Sequence, residues 1–180
     1  MNSPFFLSHK LRFALAQSFL IFTGFILSCG YVSTSSYLAH IKTINITPVV
    51  IEDTDFFYDR ASGKPYDEVI RQALIDRFKQ KWSDGNDAQL DLKIRDYRLV
   101  PIGYDANNQP EKFSMSLEIE YEFKDRVQNK IIDRKDNYLQ IHEFYIVSGR
   151  GEPPENRDEA QARLVRELVD DLYSSLAEQW

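Results

Sequence analysis

The chain reads as an α+β protein, a two-layer sandwich in which two helices cover one face of a four-stranded mixed sheet in the order β-α-β-β-β-α. Three observations predict this. Phe113, Met115, Leu117, Ile119, Tyr121 and Phe123 alternate strictly with Ser114, Ser116, Glu118, Glu120, Glu122 and Lys124. Such a strand has one dry face and one wet face. Two segments instead repeat at helical spacing: Tyr66, Val69, Ile70, Ala73, Leu74, Phe78 and Trp82, then Leu164, Val165, Leu168, Val169, Leu172, Tyr173, Leu176, Ala177 and Trp180. Two amphipathic helices and a sheet with one apolar face bury that surface most simply against each other.

The first strand is expected where Ile44, Ile46 and Val50 alternate with Thr43, Asn45, Thr47 and Val49. Pro48 cannot donate to a ladder and marks an edge or the end of pairing. Glu52 to Lys64 reads as a loop carrying Asp53, Asp55, Asp59 and the cluster Phe56-Phe57-Tyr58. The spaced acids lack the glycine and terminal glutamate of a calcium loop, so no metal is expected. The aromatic cluster is a flap over the core or a contact patch. Pro65 suits a first helical turn, and Asp67 and Glu68 suit its positive end. Ser83-Asp84-Gly85-Asn86 stops that helix.

Leu90, Leu92 and Ile94 then alternate with Asp91, Lys93 and Arg95, and past Arg95-Asp96 the apolar set moves to Tyr97 and Leu99. A one-residue phase slip within a strand predicts a bulge. Pro101 to Glu111 reads as a polar turn region, Asp125 to Lys130 as a turn, and Ile131 to Ile141 as a weakly alternating fourth strand. His142 to Asn156 is a loop whose Gly149 and Gly151 are too few for a phosphate cradle. Asn156 with Glu159 three residues on makes a capping box. A helix between the first two strands predicts their parallel pairing if they are neighbours.

The N-terminus reads differently. Met1 to Arg12 is charged only by Lys10 and Arg12, and Phe13 to Leu27 is an apolar run. That is a secretory signal, too short to span a bilayer comfortably. It ends at Ile26-Leu27-Ser28-Cys29-Gly30, which holds the only cysteine of the 180 residues. A lone cysteine makes no internal disulfide. Three readings fit it: an acylated thiol, an apolar residue ending an uncleaved helix, or an unpaired thiol beyond a plain cleavage site. The segment resembles the lipobox of bacterial lipoproteins, in which the thiol carries diacylglycerol, the signal is cut before it and the new amine is acylated. Anchoring by two or more chains is stable where one chain is marginal. The expected organisation is a lipoprotein signal peptide over 1–28, a lipidated tether over 29–40, and a single α+β domain over 41–180. An aspartate after the cysteine would resemble an inner-membrane retention signal; Gly30 stands there, so the outer membrane is expected.

Composition excludes several classes. Removing Met1 to Ser28 takes away two cations and no acid, so the remaining 152 residues carry −8 where the whole chain carries −6. That balance excludes nucleic acid as a partner, since binding phosphates depends on Lys and Arg. Only His40 and His142 follow the signal, no nucleophile stands at a useful spacing from a base, and no cofactor motif occurs, so no enzyme is expected. His40 reads as a solvated loop residue.

Taken together, Cys29-Gly30-Tyr31, the strand Ile44 to Pro48, Leu74-Ile75-Asp76-Arg77-Phe78, Ile94-Arg95-Asp96-Tyr97-Arg98 and Phe123-Lys124-Asp125 resemble the lipopolysaccharide-assembly lipoprotein family, LptE. The order of elements behind a lipobox carries most of the likeness. The resemblance implies a lipoprotein that plugs and helps assemble a large outer-membrane barrel of the LptD type, binds lipopolysaccharide and assists its delivery to the outer leaflet. It implies an acyl anchor on Cys29 and no cofactor. Lys93, Arg95, Arg98, Arg134 and Lys135 are the candidate lipopolysaccharide contacts; cross-strand ion pairs with the glutamates are the competing reading of the same residues. The competing function is an outer-membrane-anchored adaptor for a periplasmic partner.

Overall fold

The computed structural model describes residues 37–52, 58–59 and 63–178. Cys29 with its signal, the tether up to Ser36, Asp53, Asp55, Phe56, Phe57 and Trp180 lie outside the described residues.

The first strand is β1 (Thr43–Ile46), and β2 (Val50–Ile51) follows the interruption at Pro48. Next come β3 (Tyr58–Asp59) and β4 (Lys64–Pro65), which pair antiparallel on their own, so the expected loop contains a small hairpin. Helix α1 (Tyr66–Phe78) starts after Pro65, which serves as its N-cap rather than in its first turn. Strand β5 (Ser83–Asp84) lies beside β1. Three long strands form an antiparallel meander: β6 (Ala88–Tyr104), β7 (Pro110–Asp125) and β8 (Lys130–Tyr145). Helix α2 (Arg157–Tyr173) closes the fold and runs on into a π-helical end, Ser174–Glu178.

Among the described residues the main sheet has six strands, where four were expected. Its order is β5-β1-β6-β7-β8, with β2 also paired to β6. The two additions come from short segments. Ser83 and Asp84, expected as a helix stop, pair in parallel with Thr43 and Ile44. Gly85 lets them approach, because a Cβ there would lie 2.4 Å from that of Thr43. Beyond Pro48, Val50 and Ile51 resume pairing with Lys93 and Ile94. The expected parallel neighbour of β1 is β6, with Ile44 opposite Ala88 and Ile46 opposite Leu90.

The phase slip is a real irregularity of register, between Ile94 and Asp96. It lets Leu90, Leu92 and Ile94 before it, and Tyr97 after it, all turn inward. Strand β6 then runs on to Tyr104, through residues expected to form a turn. The turn itself is held by Asp105, whose carboxylate accepts the N–H groups of Asn107 at 2.9 Å and Gln109 at 2.7 Å.

The core lies between the sheet's dry face and the two helices. From α1 come Tyr66, Ile70, Leu74 and Phe78, one per turn; from α2 come Leu164, Leu168 and Leu172. The α1 helix ends at Phe78, short of Trp82, yet Trp82 remains buried. It stacks 5.9 Å from Phe78 and 5.7 Å from Phe123, joining helix to sheet through three aromatic rings. Such pairs add to the area they bury by about 0.5–1.5 kcal/mol each. Arg77 ties the helices together from outside, 2.8 Å from Asp170 and 4.0 Å above the Tyr173 ring. The capping box is present: the Asn156 side chain accepts the Glu159 N–H, and the Glu159 carboxylate accepts the Asn156 N–H, each at 2.9 Å.

Tyr37 to His40 form a turn on this body, with Leu38 buried. His40 is not a solvated loop residue. Its Nε2 lies 2.5 Å from the buried carboxylate of Asp125.

Candidate interaction surface

Among the described residues nothing covers the face of the sheet away from the helices, and β7 sets its composition. Because Met115 to Phe123 take the inward positions, Ser114, Ser116, Glu118, Glu120, Glu122 and Lys124 must point out. Register then places the neighbours. Lys93 lies opposite Glu120, Asp96 opposite Glu118, and Val100 opposite Ser114. On the other side Arg134 lies opposite Glu122, Leu139 opposite Glu118, and Ile141 opposite Ser116.

The near half of this face is an ion-pair lattice. Lys93 lies 2.7 Å from Glu52, which Arg95 also approaches at 3.9 Å. Arg95 pairs in turn with Glu120. Arg134 reaches Glu120 at 4.0 Å, Glu122 at 3.8 Å and Asp136 at 2.9 Å. The hydrogen bond from Lys93 holds the Glu52 carboxyl below its ordinary range, and Asp136 holds the Arg134 guanidinium above its own. Three cations here share four carboxylates, so the lattice is anionic by one charge. A phosphate can join it only by displacing a carboxylate. These pairs are solvent-facing, and each is worth at most about 1 kcal/mol, so exchange is cheap.

Of the five candidate contacts, the structure therefore brings Lys93, Arg95 and Arg134 into one network. Arg98 stands apart, paired with Asp96 at 2.5 Å. Lys135 forms no ion pair among the described residues; its ammonium lies 5.2 Å from the Tyr138 ring.

The far half carries exposed aliphatic side chains between charged ones: Arg98 lies opposite Ser116, and Glu143, paired with Lys112 at 2.6 Å, lies opposite Ser114. Val100, Leu139 and Ile141 are 47%, 56% and 48% exposed, opposite Ser114, Glu118 and Ser116 respectively. Exposed aliphatic side chains gathered on one face mark a contact surface. Sequence reading missed this patch. Its signal was the spacing of Leu139 and Ile141 on one face of β8, concealed because two register shifts earlier in that strand break its alternation.

Among the described residues no group of His, Cys, Asp and Glu could hold a metal ion, and no helix is long and apolar enough to cross a membrane. A groove of about 430 Å³ lies between the helices, floored by Val69, Ala73, Val165 and Val169. His142 is enclosed by Glu155 at 3.1 Å and Glu167 at 3.4 Å, where it fastens the last loop and α2 to β8.

Fold and surface define an α+β sandwich domain whose outer sheet face carries exposed aliphatic side chains beside an ion-pair lattice. The family model for lipopolysaccharide assembly, LptE, matches residues 52–176, well over half of the chain. The chain belongs to that family, and lipopolysaccharide assembly is its role at the family level. Solved structures show the same fold at low identity. Protein XCC0632 from Xanthomonas campestris aligns at 9% identity over 77% of this chain and 86% of its own, with a TM-score of 0.50. The hypothetical protein CT253 from Chlamydia trachomatis aligns at 11% identity over 77% of this chain and 99% of its own, also at 0.50. No curated protein sequence matches.

Proposed function

We propose that this protein is an outer-membrane lipoprotein, anchored through acyl chains on Cys29, that plugs and helps assemble an LptD-type barrel and assists delivery of lipopolysaccharide to the outer leaflet. The observation that carries the reading is the outer sheet face, where exposed aliphatic side chains stand beside an ion-pair lattice. The lattice suits the polar, watered lumen of a large barrel. The exposed aliphatic side chains Val100, Leu139 and Ile141 supply the desolvated contact that a stable partner needs. Family membership supplies the process these contacts serve.

In this reading Lys93, Arg95, Arg98, Arg134 and Lys135 meet the lipid phosphates. Lys93, Arg95 and Arg134 do so by exchanging carboxylate partners for phosphate; Lys135 is already free of any ion pair among the described residues. The anionic balance keeps the face from binding anions indiscriminately.

The test is affinity recovery of the tagged protein from outer membrane in mild detergent, with the N-terminal mass read in the same run. A triacylated Cys29 and a large barrel in equal amount are expected. A triacylated Cys29 with a soluble periplasmic protein and no barrel would replace this reading with the adaptor.

A further inference from the structure

Helix α1 turns three sides to the rest of the chain. Tyr66, Ile70, Leu74 and Phe78 enter the core, and Val69 and Ala73 face α2 across the groove. The third side, Arg71, Gln72, Ile75 and Lys79, looks onto the β1 edge of the sheet. It closes over a cavity of about 350 Å³, walled opposite by Ile46 of β1 and, further down, by Trp82 and Asp84. This cavity lies on the helix layer, away from the outer sheet face and its ion-pair lattice.

The charge of the cavity runs against that of the chain. Among the described residues lining it are two cations, Arg71 and Lys79, and one acid, Asp84, a balance of +1 in a chain of −6. The acid stands at one end. Asp84 lies opposite Ile44, whereas Arg71 bonds at Ile46, two strand residues on and about 7 Å away.

Arg71 is pinned in place. Its Nε donates to the Ile46 carbonyl at 3.1 Å, beyond the reach of β5, which pairs only with Thr43 and Ile44. That bond holds the plane of the guanidinium. The remaining N–H groups of its fork have no hydrogen-bond or ion-pair partner among the described residues. Arg77, Arg95, Arg98, Arg134, Arg150 and Arg163 each pair with a carboxylate instead. Lys79 is held loosely, 3.9 Å from Asp76, whose same oxygen also accepts the Gln72 amide at 2.9 Å.

We propose that this cavity binds a phosphate monoester. Arg71 takes two of its oxygens on the free edge of the guanidinium, Lys79 supplies the second positive charge, and the organic body lies against Ile75 and Trp82. A planar fork matches either a carboxylate or a phosphate. A carboxylate carries one charge and is satisfied by the fork alone. A phosphate carries close to two charges at neutral pH and three terminal oxygens, and so uses the second cation as well. The volume is at the small end of ligand sites, about 300–1,000 Å³, which limits the body attached to the phosphate. The proposal does not rest on the barrel reading.

The test is calorimetry and phosphorus NMR on the purified full chain in mild detergent and phosphate-free buffer. Glycerol phosphate is the soluble probe and lysophosphatidic acid the lipid one. Saturable binding is expected. Arg71→Lys keeps the charge and loses the fork, and should weaken binding about tenfold. Lys79→Met touches no backbone contact and should weaken it by a similar factor, while Asp84→Asn should tighten it about threefold. Unchanged melting temperatures in these last two variants separate loss of binding from loss of fold. Arg166→Gln removes a cation that lines the α1–α2 groove and has no ion pair among the described residues, and should change nothing. Arg71-dependent binding of either probe supports the proposal, and the tighter of the two tells a free metabolite from a lipid headgroup. No saturable binding of either probe would overturn it. Binding indifferent to both Arg71→Lys and Lys79→Met, or weakened equally by Arg166→Gln, would do so too.

Discussion

The carboxylate of Asp125, at the end of β7, lies 2.5 Å from Nε2 of His40, in the turn that brings the chain into the domain. This contact joins residues 85 apart in sequence. Burial alone would raise the Asp125 carboxyl, but the N–H of Gln128 and the imidazole of His40 outweigh it and hold the group below its ordinary value. A carboxyl depressed on folding stabilises the protein above its unfolded value, near 4, and the gain is lost as pH falls through the folded value. Urea midpoints should therefore be flat from neutral pH down to about 5 and then drop. Asp125→Asn should cost about 2 kcal/mol at neutral pH and flatten the acid limb. An unchanged acid limb in that variant would remove Asp125 from the account.

Leu117→Asp places an unpaired charge at a fully buried position under the helices. A loss of at least about 4 kcal/mol is expected, enough to unfold a marginal domain. Far-UV circular dichroism of the purified variant reads this directly; a melting temperature equal to the parent's would show that the dry face has been misassigned.

Asn156→Ala removes the acceptor of the α2 capping box while leaving the core alone. Stability should fall by about 1 kcal/mol. Hydrogen exchange should quicken in the first turn of α2 and stay unchanged in β7. Uniform quickening would mean that the cap supports more than its own helix.

Val100→Asp tests the exposed aliphatic side chains of the outer face. The side chain is half exposed, so stability should change by no more than about 0.5 kcal/mol. Recovery of the barrel should nevertheless collapse. Equal recovery with parent and variant would exclude these side chains as the contact.

Cys29→Ala should leave the chain without acyl chains and outside the outer-membrane fraction. Normal fractionation of that variant would end the lipobox reading.

The sequence was most informative where one residue has one neighbourhood. The strict alternation of β7 survives because that strand is flanked along its length and its inner face is wholly covered. The Arg95 bulge was legible because both sides of it are buried on the same face. Pro101 misled, being read as the start of a turn. It lies within β6 beyond Ile94, the last β6 residue paired to β2, so its missing N–H leaves no ladder bond unmade on that side. Strand β8 was weakly legible because two register shifts change which residues face the core. Strand β5 carries only two residues, and no periodicity exists at that length. For the candidate contacts, spacing could place Lys93, Arg95 and Arg134 on a common face. It could not show that Glu52, from a segment 41 positions before Lys93, would join Lys93 to Arg95.

The same meander has a kinetic consequence. Strands β6, β7 and β8 are linked by short turns, whereas the parallel pairing of Ile44 with Ala88 must close a loop containing the whole of α1. Closing the longer loop is the dearer entropic step, and local pairings form sooner. The hairpins should nucleate folding, with α2 condensing on them and β1 inserting last. Substitutions in Leu117 or Ile119 should therefore slow refolding, while substitutions in Ile44 should chiefly hasten unfolding. The part of the domain nearest the N-terminus would be the last to be secured and the first to come loose.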